Sequence, residues 1–587
     1  MKKHYETHVE DTDKLISVAG PVLDYKSWYE QYRKLMEEQA QRKYGLYTPT
    51  SEGDDDDFPS ISGITARYSA LGLTNEQMAA NPVWKNLTGN GHDLQMKNFS
   101  WKGMSGVGGY VGDFSKWVNN RDTTEIGITK SNSKVIIDVK VSQGSGKNIV
   151  FISKSNLGIS NNVTIKITST YPEGVMKFAN SASNKYLKLP SNGIITLQDN
   201  PEYTSNEMHL HLASADLGQI TIEQLPLYPG ALVFDGVDDY GTCNNFPILT
   251  KEKGYTVVAL RQWITRGEIA QGLVSNVKNW LKDGAFLLEY RNIQADHLNK
   301  PISFGAIGSE MDLPHILTYQ TSKSYNGVSI TTGNFEGTDV LHVGKLAPTN
   351  VGTCINAAIW ELVFLDHDAT EEELTKIKDY FIKTYPWLFP NQAWTVTGKT
   401  NQDEDRATIA NITGNGNDLV LSNFGFIEGS GYNEEGEYAG YLVTDGVDDK
   451  IVSSVFGMGK DFTIVGDWKF IDNKKSGTGL VKASSFYIYN TMIGLDLYIN
   501  SGSVTNSLDG IKSINAACSD GRAYDRNWNE ILANTGNVVG SGGTLEVSSS
   551  GGRFDRIAFK NLAIYPRILS KDDCIKAYNY LQTLKAK

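Results

Sequence analysis

The sequence predicts an all-β protein: two related sandwich modules, the first interrupted by a small inserted β-sandwich, with a helical arm in front. Three observations predict it. First, two phrases recur. Asn-Leu-Thr-Gly-Asn-Gly-His-Asp-Leu starting at Asn86 returns as Asn-Ile-Thr-Gly-Asn-Gly-Asn-Asp-Leu starting at Asn411, and Asp-Gly-Val-Asp-Asp at Asp235 returns at Asp445. The offsets are 325 and 210 positions, so about 115 residues stand in the first copy and are missing from the second. Second, short runs that alternate apolar and polar residues are separated by Gly, Ser, Asn and Pro, the pattern of half-buried antiparallel strands. Third, the chain holds 57 glycines and 29 tyrosines, rich in turn formers and in strand-face residues.

A chain of 587 residues exceeds a single core. Net charge is -12, with no basic stripe interleaved with aromatics, so nucleic acid is not an expected partner. Cys243, Cys354, Cys518 and Cys574 lack ligand or disulfide-framework spacing and read as reduced core thiols. The start, MKKHYETHVEDTDK, runs from basic into acidic residues without an apolar segment, so no secretory signal is expected. No apolar run reaches the length of a membrane span.

In chain order, residues 1–60 read as an arm and linker. Trp28, Tyr29, Tyr32, Leu35 and Met36 lie at helical spacing, a stripe that suits packing on this chain or a bundle of its copies. The run Asp54 to Asp57 then marks a solvated linker. Residues 61–119 are the lead-in of module one. Residues 120–227 are the inserted sandwich, with seven strand-like runs: KVIIDVKV, NIVFIS, VTIKITS, YLKLP, GIITLQ, MHLHLA and QITIEQL. His209 and His211 share a strand face there but lack a third ligand, so they read as polar surface rather than as a metal site. Residues 228–388 carry the body of module one, and residues 389–587 are module two with its own lead-in. Both modules close on a long apolar strand, AAIWELVFL or RIAFKNLAIY, followed by a capped helix signalled by Thr370 with Glu373 and by Ser570 with Asp573.

These features carry a resemblance. Phe234-Asp-Gly-Val-Asp-Asp-Tyr240, the strand that opens at Tyr255-Thr-Val, and the terminal strand-plus-helix resemble the laminin-G-like or concanavalin A-like jelly-roll superfamily of lectins and glucanases. The copy Thr444-Asp-Gly-Val-Asp-Asp-Lys450 departs at both ends. The Asn-x-Thr-Gly-Asn-Gly-x-Asp-Leu phrase is similar to modules in structural proteins of tailed phages of Bacteroidetes, crAss-like phages among them, and their prophages. The resemblance spans residues 64–119 and 228–585. It implies a virion structural protein, a tail or head fibre or other surface appendage, that displays carbohydrate-binding modules for host attachment. Implied partners are host surface polysaccharide, other virion proteins met through the arm, and further copies of the chain. The implied location is the virion, reached without a signal peptide. A purely architectural virion or cell-surface protein without sugar affinity is the alternative. A capsule-degrading enzyme is not expected, because the alternating strand carboxylates of the glucanase subset are missing and Asp403-Glu-Asp405 lies outside any periodic strand. The chain is therefore expected not to be an enzyme.

Two residue sets are candidate sites. Asp235, Asp238 and Asp239, with Asp445, Asp448 and Asp449, offer oxygens that suit calcium, but capping of their own turn is the preferred reading. No cofactor is expected beyond that possible calcium, for which Asp235, Asp239, Asp445 and Asp449 are the candidates. Surface aromatics are the other route to a ligand: Trp263, Trp280, Tyr319 and Tyr325 in module one, and Trp468, Tyr487, Tyr524 and Trp528 in module two. Trp263 and Trp468 suit a core position equally. Trp528 is the preferred sugar-stacking residue, with Tyr524 beside it and Arg522 and Arg526 facing an acidic glycan.

Overall fold

The computed structural model describes residues 57–586, except 122, 143–146, 160–162, 181–185, 198–203, 205, 215, 251, 266–270, 277–286, 291–303, 307–316, 330–337, 346–353, 458, 473–477, 484–485, 491–493, 500–507, 510–513, 533–541, 548 and 551–552. The expected helical arm lies outside them. The described chain is mostly β and its sheets stack as sandwiches.

Each module stacks two sheets. In module one an eight-stranded sheet centres on the strand Asn356–Leu365, flanked by Thr256–Trp263 and Leu232–Asp235, with Ile64–Ser69 paired along part of it. It faces a seven-stranded sheet that runs from Val83–Trp84 to Phe304–Ala306. Module two repeats the plan with Arg556–Tyr565 at the centre, flanked by Thr463–Asp472 and Tyr441–Val443, opposite a second eight-stranded sheet. Among the described strands pairing is antiparallel except between Leu287–Tyr290 and Phe304–Ala306. Side chains of period two fill each sandwich; Phe234, Val257, Ile359 and Phe364 close the first core, and Ile464, Trp468, Phe559 and Leu562 the second.

The repeated phrases are hydrogen-bonded clamps. The Asn86 amide N–H donates to the Asp93 carboxylate (2.9 Å) and its side-chain NH2 to the Gly91 carbonyl (2.6 Å); Asn411 repeats both, to Asp418 (2.8 Å) and Gly416 (2.5 Å). The Asn86 and Asn411 side-chain oxygens accept from the neighbouring strands, at Arg67 (2.9 Å) and Ala393 (3.2 Å). Further on, Asn75 and Asn401 each bond both backbone groups of one residue, Val107 and Tyr432. The partners Gly106 and Gly431 take φ of +147° and +158°, where a Cβ would collide with those asparagine oxygens.

The insert occupies a defined place. In module two, Gly431–Asn433 and Tyr441–Val443 are adjacent strands joined by a short 3-10 turn. In module one the matching pair, Gly106–Val107 and Leu232–Asp235, is still adjacent, but the chain between them builds a further sandwich. That sandwich has two five-stranded sheets, ten strands in all from Val118 to Gln224, around its own core. The seven expected runs all fall on strands. Val118–Asn119, Ile126–Lys130 and Met176–Asn180 are additional, because two residues or a lysine- and asparagine-ended run show no clean alternation.

Two helices then fill the space beside the sandwiches. Glu371–Thr384 starts on the expected capping box of Thr370 and Glu373, and Lys571–Gln582 starts on Ser570, whose hydroxyl accepts from the Asp573 N–H. With Trp387 and Leu388 of the linker, both helices enter one continuous apolar cluster that takes Val258 and Trp360 from module one and Val465, Ala516 and Tyr565 from module two. Polar contacts lock the joint: Tyr565 Oη donates to the Trp387 carbonyl (2.9 Å), and Arg567 to that of Ile382 (3.1 Å). The insert docks there too, Thr164 donating to the Asn579 side chain (2.9 Å). The four cysteines are free thiols in the cores, and the fold brings Cys518 and Cys574 together although 56 positions separate them in sequence. No helix among the described residues is long and apolar enough to cross a membrane.

Candidate functional site

Because the helix Glu371–Thr384 and the linker hold the two modules side by side, a cleft of ≈ 520 Å³ opens where they meet. Its module-one wall is the sheet face of Leu317 and Tyr319 with Lys378 and Ile382 of the helix. Its far wall is Thr413 and Asn415 of the second repeated clamp, with Arg567 and Tyr580; linker residues Phe389 and Asn391 close the base. The volume is that of a small-ligand site. Tyr319 is half-buried and held by paired bonds, its N–H donating to the Asn326 side chain (2.9 Å) and its carbonyl accepting from the Asn326 N–H (2.9 Å). Asn415 donates to the Asn391 carbonyl (2.7 Å), which fixes the opposite lip. Burial holds the Arg567 guanidinium below its ordinary range. A ring, several carboxamides and two cations in one recess suit a polyhydroxylated ligand, whose hydroxyls need donors and acceptors and whose C–H face needs a ring.

The aromatic candidates otherwise divide. Trp528 and Tyr524 are corrected: they are buried, 1 % and 0 % exposed, because the helix Lys571–Gln582 lies over them. Trp528 meets Tyr578 edge-on at 5.6 Å and cannot stack on a sugar. Arg522 is tied to Asp520 (2.8 Å from Nε) and to the Leu569 carbonyl (3.5 Å), a surface staple rather than a glycan contact. Arg526 is exposed on the adjoining turn. Trp263 and Trp468 are core residues, the second of their two readings. Trp280 lies outside the described residues. Tyr325 and Tyr487 sit on strands Ser324–Tyr325 and Phe486–Asn490, and their side chains lie outside the described ones. His209 and His211 bond Asn120 (2.9 Å) and Asn148 (3.0 Å), and they join no metal-type cluster among the described residues.

The two aspartate trios have the same geometry. In each, the three carboxylates approach within 4.8 Å of one another. Asp239 accepts from the Asp235 N–H (3.0 Å) and the Ser105 hydroxyl (3.0 Å); Asp449 accepts from Asp445 (2.7 Å) and Ser430 (3.2 Å). Asp235 and Asp445 accept from the Val237 and Val447 N–H groups, and Gly236 and Gly446 take φ near +80°. The trios act as turn caps that bind the body of each sandwich to its lead-in. Asp239 and Asp449 are fully buried, which pushes their carboxyls up to about 7 and about 6. A raised carboxyl makes the folded state the better proton binder, so this contribution is fully present below about pH 4 and is lost as pH rises through 6 to 7. At about 1.4 kcal/mol per pKa unit, Asp239 is worth a few kcal/mol. The local opening free energy of Leu232–Asp235 and Tyr240–Cys243, read by hydrogen exchange at pH 5 and pH 8, is expected to be lower at pH 8, with a smaller difference in Asp239→Asn; equal differences in the two proteins would refute it.

The residues missed in the sequence are those the joint assembles: Lys378, Asn391, Asn415, Arg567 and Tyr580 come from five separate segments. Tyr319 alone was among the aromatic candidates.

No family model matches the chain, and no curated protein matches it. Solved structures do align. A Trypanosoma rangeli sialidase in complex with the inhibitor DANA matches at 9 % identity and a TM-score of 0.24, over 77 % of this chain and 62 % of its own. The chain therefore spans less than two thirds of that relative. A mutant of the T. rangeli enzyme displaying trans-sialidase activity matches at 10 % identity and TM-score 0.26, over 80 % of this chain and 86 % of its own. A botulinum neurotoxin serotype D binding domain matches at 11 % and 0.22, over 59 % and 89 %. The expectation of a chain that is not an enzyme is not upheld: the solved structures that align include sialidases. At these TM-scores the alignments bring no substrate and no catalytic residue to this chain.

Proposed function

We propose that this protein binds glycans in the cleft between its two sandwich modules, and that it does so as part of a tailed-phage virion appendage attaching to host surface polysaccharide. The observation that carries the binding reading is the cleft itself, with Tyr319 opposite Asn415 and with Lys378 and Arg567 at its walls. The virion setting is supported by the resemblance of the repeated clamp and of Phe234 to Tyr240 to phage structural modules. Assembly into homo-oligomers through the N-terminal arm belongs to the same proposal, since linked copies of a weak site gain avidity.

A glycan array probed with the full chain, followed by titration of the best neutral ligand, tests the binding. Tyr319→Ala and Lys378→Ala are expected to weaken it about tenfold each, roughly 1.4 kcal/mol. Binding that survives both replacements moves the site elsewhere, and an array without a hit favours the architectural alternative. Imaging of purified particles with an antibody to the chain tests the setting.

A further inference from the structure

Because the modules are copies, matching positions can be read across the strand registers, and one face has changed its chemistry. Leu442 pairs with Phe559, Lys469 with Ala558 and Asp467 with Asn561; in module one Leu232 pairs with Ile359, Gln262 with Ala358 and Leu260 with Glu361. The positions of Ala231, Leu260, Gln262 and Trp360 are thus held in module two by Tyr441, Asp467, Lys469 and Lys560. In module one Ala231, Leu260 and Trp360 belong to the apolar joint, and Gln262 donates to the Thr583 hydroxyl (3.0 Å). In module two the helix Lys571–Gln582 packs with Val465, Ala516 and Ala563, and the charged set lies beside it, Asp467 meeting its Gln582.

The set is built around one ring. The Lys469 Nζ lies 4.5 Å and the Lys560 Nζ 5.8 Å from the centre of Tyr441, and Lys469 lies 5.9 Å from Tyr438. The Tyr441 hydroxyl donates to the Asp467 carboxylate (3.0 Å to each oxygen), and the Gln582 amide approaches it at 3.4 Å. Asp467 therefore orients the ring as much as it balances the lysines. Both lysines are half-buried, and desolvation draws their ammonium groups down, Lys469 to about 8. The Arg526 charge pushes Lys469 further the same way and is felt at Tyr441 too, so a third cation stands near the two lysines. Glu437 is the other acid felt there. Tyr441 is itself buried, 4 % exposed, and underlies the two ammonium groups, while Tyr438 is half-buried and presents ring surface at the edge of the set. Cations partly withdrawn from water beside rings pair well with an anion carried on a sugar: the anion replaces the lost solvation and the sugar covers Tyr438.

We propose that Tyr438, Tyr441, Lys469, Lys560 and Arg526 form a second binding site, for the carboxylate or sulfate of an acidic saccharide. This deepens the glycan-binding reading by naming an anionic ligand, and it stands on residues remote in sequence and chemistry from the cleft.

The test uses the full chain with three probes of equal length: a hyaluronan hexasaccharide, a chondroitin sulfate hexasaccharide and neutral maltohexaose, with inorganic sulfate as a competitor. An acidic hexasaccharide is expected to bind, with affinity that falls as salt is raised, and at least tenfold more weakly to the Lys469→Gln/Lys560→Gln double variant. Hyaluronan binding, with or without chondroitin sulfate, would assign the site to the carboxylate that both carry, and binding of chondroitin sulfate alone to sulfate. The double variant Lys469→Arg/Lys560→Arg is expected to keep binding, which separates loss of charge from loss of fold. Tyr319→Ala is expected to leave this binding unchanged. Failure of both acidic probes to bind, equal binding of maltohexaose at this face, or wild-type affinity in the glutamine variant would each overturn the proposal. A Tyr319-dependent neutral ligand found at the same time would leave the cleft standing.

Discussion

Glu361→Ala is expected to destabilise module one by about 3–5 kcal/mol, because it strands a buried guanidinium and two buried phenols at once. Glu361 is fully buried and Arg67 is 4 % exposed. The Arg67 Nε donates to one Glu361 oxygen (3.1 Å), while the other accepts from the Tyr385 hydroxyl (2.8 Å) and the Tyr380 hydroxyl (3.1 Å). Burial and the neighbouring carboxylate hold the Tyr385 phenol well above its ordinary range, so it stays a donor. The Arg67 guanidinium also lies 4.1 Å over Phe58 and 5.0 Å over Tyr380. The network thus joins the entering chain, the first strand, the central strand and the helix Glu371–Thr384. Module two has Asn561 at the corresponding place, so the charge belongs to the first copy alone. Glu361→Gln, which keeps the shape and one acceptor, is expected to cost less than the alanine. Several domains make a single global unfolding energy ill-defined, so hydrogen exchange over Ile64–Ser69 and Asn356–Leu365 is the proper readout. A loss of protection below 1 kcal/mol in Glu361→Ala would show that water or rearrangement satisfies the site.

What the sequence disclosed depends on whether an interaction is local. The clamps were legible because the bonds inside each phrase run between residues two to seven positions apart and need specific side chains, Asn86, Thr88 and Asp93 in one copy and Asn411, Thr413 and Asp418 in the other. The caps on Thr370 and Ser570 were legible for the same reason. The insertion showed as a difference of two offsets, although three of its ten strands carry too little alternation to be seen. The cleft was not legible, since Tyr319 and Asn415 meet only once the linker has folded the modules together. The basic face escaped too: Lys469 and Lys560 look like ordinary polar positions until the strand register puts them beside Tyr441.

Trp528→Ala is the replacement that an exposed sugar-stacking role and a core role predict differently. The local sequence, with Arg526, Asn527 and Asn529 around it, looks like a solvated loop, and those three side chains are exposed. Trp528 alone turns inward. Asp525 makes the turn by accepting from the N–H groups of Asn527 and Asn529 (2.8 Å each), and its carbonyl accepts from the Trp528 N–H (3.0 Å). The backbone of Trp528 is left-handed, φ +61°, a conformation that costs an L-residue about 1–2 kcal/mol. Packing of the indole against Tyr524 (6.2 Å) and Tyr578 (5.6 Å) offsets that cost. Truncation to alanine keeps the strain and opens a cavity, so about 3–5 kcal/mol is expected to be lost from module two. Trp528→Gly relieves the strain but opens a slightly larger cavity, and it is expected to recover at most about 1 kcal/mol of that loss. Glycan affinity per folded molecule should stay at the wild-type value in both variants, measured below their unfolding transitions. An alanine variant with unchanged stability and no binding would return Trp528 to the surface role, because no core tryptophan can be removed without the cavity being felt.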